Sequence, residues 1–251
     1  MNDEFNVLFY TTDEEKKRRS KMAELLRNCP IPDEELLDNL ALFINSKYLS
    51  RMKFMDYLYQ QIVSVPGVVM EFGTRWGQNA AHFSALRGIY EPFNRYRKII
   101  AFDTFEGFPG VTDKDGKSKL MEEGALSVSE DYYDCLDGIM DFHEKENPIS
   151  HLKKYELVKG DVVETLPLYL KKNPETVIAL AYFDLDLYEP TRACLREIRR
   201  HLVKGSIIGF DELCDHDSPG ETLALMEVFG LNNVSMKRLS YTSRTSYFVV
   251  E

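Results

Sequence analysis

The sequence predicts an α/β fold, a mostly parallel open sheet with helices on both faces, and three observations carry that prediction. From residue 65 onward, short β-branched and aromatic runs alternate with amphipathic stretches, as parallel strands do when helical crossovers join them. The apolar run 65–70 leads through Glu71-Phe72-Gly73-Thr74-Arg75-Trp76-Gly77 into a helix-like segment, 79–88, which reads as strand, tight glycine turn and helix. Short runs near 234–240 and 245–250, joined at 241–244, form an antiparallel hairpin edge at the C-terminus. The other strands expected are 67–72, 98–103, 155–159, 178–184 and 205–211.

At 251 residues the chain fits one α/β domain with an appendage. Residues 13–64 read as helical, broken at Pro30 and Pro32, so the expected division is a helical N-terminal region, 1–64, and a main domain, 65–251. Leu36, Leu37, Leu40, Leu42 and Phe43 give an apolar stripe that packs on the core or on a partner subunit. Between the second and third strands lies an insertion, 105–154, charged and glycine-containing at first and helical later. A loop of that length beside the carboxyl ends of parallel strands is expected to form a lid.

A net charge of −10, with no lysine and arginine cluster interleaved with aromatics, argues against nucleic acid as a partner. No apolar run has bilayer length, and Met1-Asn2-Asp3-Glu4 is unlike a signal peptide, so no membrane association and a cytoplasmic location are expected. Cys29, Cys135, Cys194 and Cys214 are far apart and include no C-x-x-C, which indicates neither a disulfide framework nor a zinc site.

Ligands of open parallel sheets bind at the carboxyl ends of the strands, so acidic residues there are the candidates. The first loop has the spacing E-x-G-x-x-x-G, with the acid ahead of the glycines. A carboxylate at that place repels a pyrophosphate but suits a cationic, hydroxyl-bearing ligand, which points from dinucleotides to S-adenosylmethionine. Glu71, Gly73, Thr74, Trp76 and Gly77 are the loop's candidates. Asp103, ending the second strand, stands where an acid accepts both hydroxyls of a ribose. Asp161 either bonds an adenine amino group or caps the helix that follows it.

Asp184, Asp186, Asp211 and Glu212 end two neighbouring strands. Carboxylates so close raise one another's pKa unless they share a cation, and hard oxygen ligands suit Mg²⁺; the alternative is a set of solvated turn residues. In the polar loop after them, His216 is either a general base or a solvated histidine.

With these residues in view the chain resembles the macrocin O-methyltransferase family of the TylF/MycF type, class I methyltransferases with a Rossmann-like sheet that act on sugars of antibiotics and related glycosides. Pro66-Gly67-Val68-Val69-Met70-Glu71-Phe72-Gly73 is similar to that family's first motif. Phe102-Asp103-Thr104-Phe105-Glu106-Gly107-Phe108-Pro109 resembles its D-[ST]-F-E-G-[LF]-P signature, and Asp184-Leu185-Asp186-Leu187-Tyr188-Glu189-Pro190-Thr191 resembles its D-x-D-x-Y-x-[SP]-T block. The resemblance implies that Glu71 and Asp103 bind S-adenosylmethionine and Asp161 its adenine, and that Asp184 with the acidic pair Asp211-Glu212 binds Mg²⁺; Thr104, next to Asp103, is a further cofactor candidate. The family commonly has Asp-Asp at that pair, so Glu212 is a departure. The implied activity is O-methylation of a sugar hydroxyl, on a nucleotide-deoxysugar or a glycosylated product, with Asp184 or His216 taking the proton and the N-terminal helices serving a homo-oligomer such as a dimer. A catechol or phenol methyltransferase of the same fold, and a non-catalytic binding protein on it, are the rival readings.

Overall fold

The computed structural model of the chain describes residues 12–118 and 120–251, which leaves the opening segment Met1 to Glu4 outside. Six strands form one sheet: β1 (Val68–Phe72), β2 (Ile99–Asp103), β3 (Tyr155–Lys159), β4 (Ile178–Phe183), β5 (Leu202–Phe210) and β6 (Ser246–Val249). Their order is β3-β2-β1-β4-β5-β6, with every pairing parallel except β5 with β6. Chain order reverses at β1, between β2 and β4, and the carboxyl ends on either side of that point make the crevice where such sheets bind ligands.

The antiparallel edge lies where the sequence puts it, but its first arm is not a strand. Within 234–240 only Lys237 pairs, exchanging both backbone hydrogen bonds with Tyr247 at 2.8 and 2.9 Å, while Val234 and Met236 turn their side chains onto the core. β6 therefore takes its ladder from β5.

Helices α1 (Asp13–Arg27), α2 (Asp33–Leu36), α3 (Ser46–Ile62), α4 (Gln78–Tyr90), α5 (Tyr132–Glu146), α6 (Val162–Lys172), α7 (Tyr188–Ile198) and α8 (Gly220–Val228) complete the chain. α1 starts on a capping box, in which Thr12 Oγ1 accepts from Glu15 N and Glu15 accepts from Thr12 N. None of the described helices is long and apolar enough to cross a membrane.

The chain divides into two compact units between Met52 and Lys53, inside α3, and not at 64/65. The reason is the second half of α3, where Phe54, Met55, Leu58, Tyr59 and Ile62 are buried in the core of the larger unit. In the smaller unit α1 and α2 bury no residue, and Leu25, Leu37 and Leu42 are exposed.

Alternation along the strands sorts the core into two layers. Val69, Ala101, Tyr182 and Ile207 face a cluster with the end of α3, with α4 and with α5. Phe72, Phe102, Phe183 and Phe210 face the other, with α6, α7 and α8. α5 lies in the region expected to be a lid, yet Leu136 and Met140 are core residues, so this half of the insertion is a fixed layer of the domain. Its amphipathic pattern suits a helix packed on a sheet as well as a flap, and only the tertiary contacts separate the two.

An ion cluster also fixes α5. Glu144, 2% exposed, takes Arg87 Nη2 at 2.9 Å and Lys154 Nζ at 2.5 Å on Oε1, and the backbone N–H of Lys154 at 2.8 Å on Oε2. Removing one member of such a buried set strands the others. Glu144→Gln is expected to lower unfolding free energy by about 3 kcal/mol or more, read from the urea midpoint.

Candidate active site

Four strands end in the same way. Phe72, Phe102, Phe183 and Phe210 are fully buried and stand side by side, with ring centroids at 5.3, 4.8 and 5.2 Å across the row. The residue after each, Gly73, Asp103, Asp184 or Asp211, lies at the strand end or just past it, at the crevice. Backbone bonds carry the ladder one step past the rings, from Asp184 N to Phe72 O at 2.8 Å and from Asp211 N to Phe183 O at 2.9 Å.

In the first loop Gly73 has φ +88°, and a Cβ there would stand 1.9 Å from the carbonyl oxygen of Asp184. Only glycine lets the β1 and β4 loops approach that closely. Glu71 lies beneath the loop, 1% exposed, with Oε1 accepting from Asn79 Nδ2 at 2.9 Å and Oε2 from Thr74 Oγ1 at 3.3 Å. Glu71 and Thr74 therefore brace the turn. Gly77 precedes α4 and abuts Leu136, while Trp76, 41% exposed, meets Tyr132 edge to face at 4.6 Å.

Asp103 also closes the first loop. Its Oδ2 accepts from Arg75 N at 2.7 Å and its Oδ1 from Phe105 N at 2.6 Å. Burial pushes its carboxyl above the usual range against the pull of those two amides. Thr104 shapes the next turn, donating to Gly107 O at 2.6 Å and accepting from Glu106 N at 3.1 Å. Asp161 is the N-cap of α6, its Oδ1 accepting from Val163 N at 2.9 Å.

The second group assembles after β4 and β5. Asp211 accepts from Tyr182 Oη at 2.9 Å, and Glu212 Oε1 pairs with Arg244, which also binds Asp215 at 2.8 Å. Burial first, then Glu212, Asp184 and Asp211, raises Asp186 well above an ordinary carboxylate. Burial raises Glu212 to about 7, with Arg244 opposing it, and its Oε2 is buried without a hydrogen-bond partner among the described residues. Arg75, in the left-handed region at φ +46°, sets its guanidinium near Asp184, Asp186 and Asp103. His216 lies exposed on the loop after β5. Among the described residues, no three acidic, histidine or cysteine side chains already stand as a metal-binding set.

Sequence reasoning missed Asn79, Tyr182, Glu221 and Arg244, all of which hold a candidate side chain or its loop. Arg244 is remote in sequence and reads as a hairpin turn residue. Glu221 reads as an acid suited to the first turn of a helix.

The family model described as macrocin-O-methyltransferase (TylF) matches residues 48–224. The structure of CalS11, a calicheamicin methyltransferase, is 44% identical, covers 99% of this chain and 97% of that one, and superposes with a TM-score of 0.94. The apo structure of CalS11, described as a TDP-rhamnose 3′-O-methyltransferase, is 41% identical over 98% of both chains, with a TM-score of 0.85. The O-methyltransferase NovP, 18% identical over 79% of this chain and 78% of its own, shares the fold with a TM-score of 0.60. Curated protein sequences give no match.

Fold and relatives together define an S-adenosylmethionine-dependent O-methyltransferase. The chain belongs to the macrocin-O-methyltransferase (TylF) family.

Gly73→Ala puts a methyl group into the Asp184 carbonyl at a positive φ. A stability loss above about 1 kcal/mol is expected, with weakened cofactor binding, measured by thermal unfolding and calorimetric titration.

Proposed function

We propose that the enzyme methylates a sugar hydroxyl, with a nucleotide-activated deoxysugar as the first acceptor to try. The observation that carries this reading is the 44% and 41% identity to CalS11 over nearly the whole chain. The acidic strand ends add chemical support. A sugar hydroxyl is a weak nucleophile, and a crowded set of carboxylates beside the cofactor loop can orient it and accept its proton.

In this reading Asp103, at the end of β2, accepts from the ribose hydroxyls of S-adenosylmethionine. The Glu71, Thr74 and Asn79 brace keeps Gly73, Trp76 and Gly77 in place along the methionine part, and Asp161 sets α6 beside the adenine. The donor set Asp184, Asp211 and Glu212 fits a hard divalent cation in chemistry, since Glu212 has an orphaned buried oxygen and burial and its acidic neighbours raise its pKa. Bound there, Mg²⁺ would lower the pKa of the acceptor hydroxyl. The proton goes to Asp184 or to His216, and Arg244 keeps the cluster from carrying its full negative charge.

Incubation with labelled S-adenosylmethionine and TDP-rhamnose is the direct experiment. Label in the sugar is expected, dialysis against a chelator should remove turnover, and added Mg²⁺ should restore it. Methylation of catechol with none of the sugar would overturn the acceptor class; full turnover after demetallation would overturn the ion.

Two variants separate cofactor from chemistry. Asp103→Ala should weaken S-adenosylmethionine roughly 10-fold to 100-fold by calorimetry, since buried donors lose their partner. His216→Ala should lower kcat with little change in that affinity, and an unaltered kcat would assign the proton to Asp184.

A further inference from the structure

The acidic residues after β4 and after β5 belong to separate loops, and one side chain outside both bonds to each. Glu221, in the first turn of α8, is fully buried. Its Oε1 accepts the backbone N–H of Leu185 at 3.0 Å and its Oε2 that of Glu212 at 3.3 Å. Leu185 sits between Asp184 and Asp186, and Glu212 follows Asp211. The start of α8 also presses on the loop after β4, because a Cβ on Gly220 would lie 2.6 Å from both Asp186 O and Tyr188 N.

Packing alone does not call for an acid here. Burying a carboxyl group completely is costly, and an apolar residue would avoid that cost. What a carboxylate provides is two acceptor oxygens on one rigid plane, one for an amide of each loop.

We infer that Glu221 is a positioning residue for the acceptor, a clamp that fixes the separation of Asp184-Leu185-Asp186 from Asp211-Glu212. The inference rests on the reading that these strand ends face the acceptor hydroxyl. Glu221 acts on methyl transfer by spacing, while Glu71, Thr74 and Asn79 brace the cofactor loop from beneath.

Glu221→Ala removes both acceptors. Glu221→Gln keeps the size and one acceptor oxygen, but turns an NH₂ group toward a backbone N–H. Three measurements on the full chain read the clamp: hydrogen exchange by mass spectrometry, calorimetric titration with S-adenosylmethionine, and kcat with TDP-rhamnose. Expected for Glu221→Ala are faster exchange confined to 184–187 and 211–213, kcat lower by about tenfold or more, and cofactor affinity within about twofold of the parent, with Glu221→Gln between the two. Unchanged kcat, or faster exchange across β1 to β5 together with weaker cofactor binding, would overturn the inference. If the parent does not methylate TDP-rhamnose, the sugar reading fails by itself, and the exchange pattern decides the clamp: unaltered protection of both loops in Glu221→Ala overturns it, and loss confined to them upholds it.

Discussion

The row of Phe72, Phe102, Phe183 and Phe210 is the constraint on which the site depends. A one-residue slip in a strand turns every side chain to the other face, so a large ring in the last buried position of each of four strands makes register costly to change. With the rings packed against α6, α7 and α8, the next residue of β2, β4 and β5 is an aspartate of the opposite parity, on the side of the sheet that carries Glu71 and Tyr182. Three carboxylates thus reach the crevice because their apolar neighbours are locked. Apolar burial supplies the fold and, through parity, aims the polar groups.

Those polar groups are held at some electrostatic cost. Asp186, Glu212 and Glu221 all bind protons more tightly than isolated carboxylates, with burial the largest cause in each. Arg244 from the C-terminal turn and Arg75 from the first loop bring positive charge from two sides. Neither arginine belongs to a strand end, so the balance of charge depends on chain segments far apart in sequence. A cluster arranged in this way favours whatever brings positive charge or donated hydrogen bonds into it, as a divalent ion or a sugar hydroxyl does.

The first loop shows the same division of labour. Its approach to the β4 loop depends on Gly73, its underside on Glu71 with Thr74 and Asn79, and its outer edge on Asp103, which bonds the amides of Arg75 and Phe105. Arg75 keeps a left-handed backbone that costs a non-glycine residue about 1 kcal/mol or more, held by that 2.7 Å bond. Several of the residues singled out by sequence in this loop work by shaping its backbone.

The alternation of strands and helices, the glycine turn after β1 and the acidic residues at strand ends were all legible in the sequence, because period and residue type act locally. So was the break at Pro30 and Pro32, which separates α1 from α2. Local pattern could not tell that α5 is a core layer, since an amphipathic helix suits a lid equally well, nor that the second half of α3 belongs to the larger unit. Residues 234–240 have the composition of a strand, yet β5 already supplies the ladder of β6, and one bridge is all that remains. The sequence by itself determined the class of fold and marked the acidic residues at the strand ends as candidates. Tertiary structure alone decided that Arg244 and Glu221 meet the acidic pair, because contacts between residues distant in the chain leave no period or spacing to read.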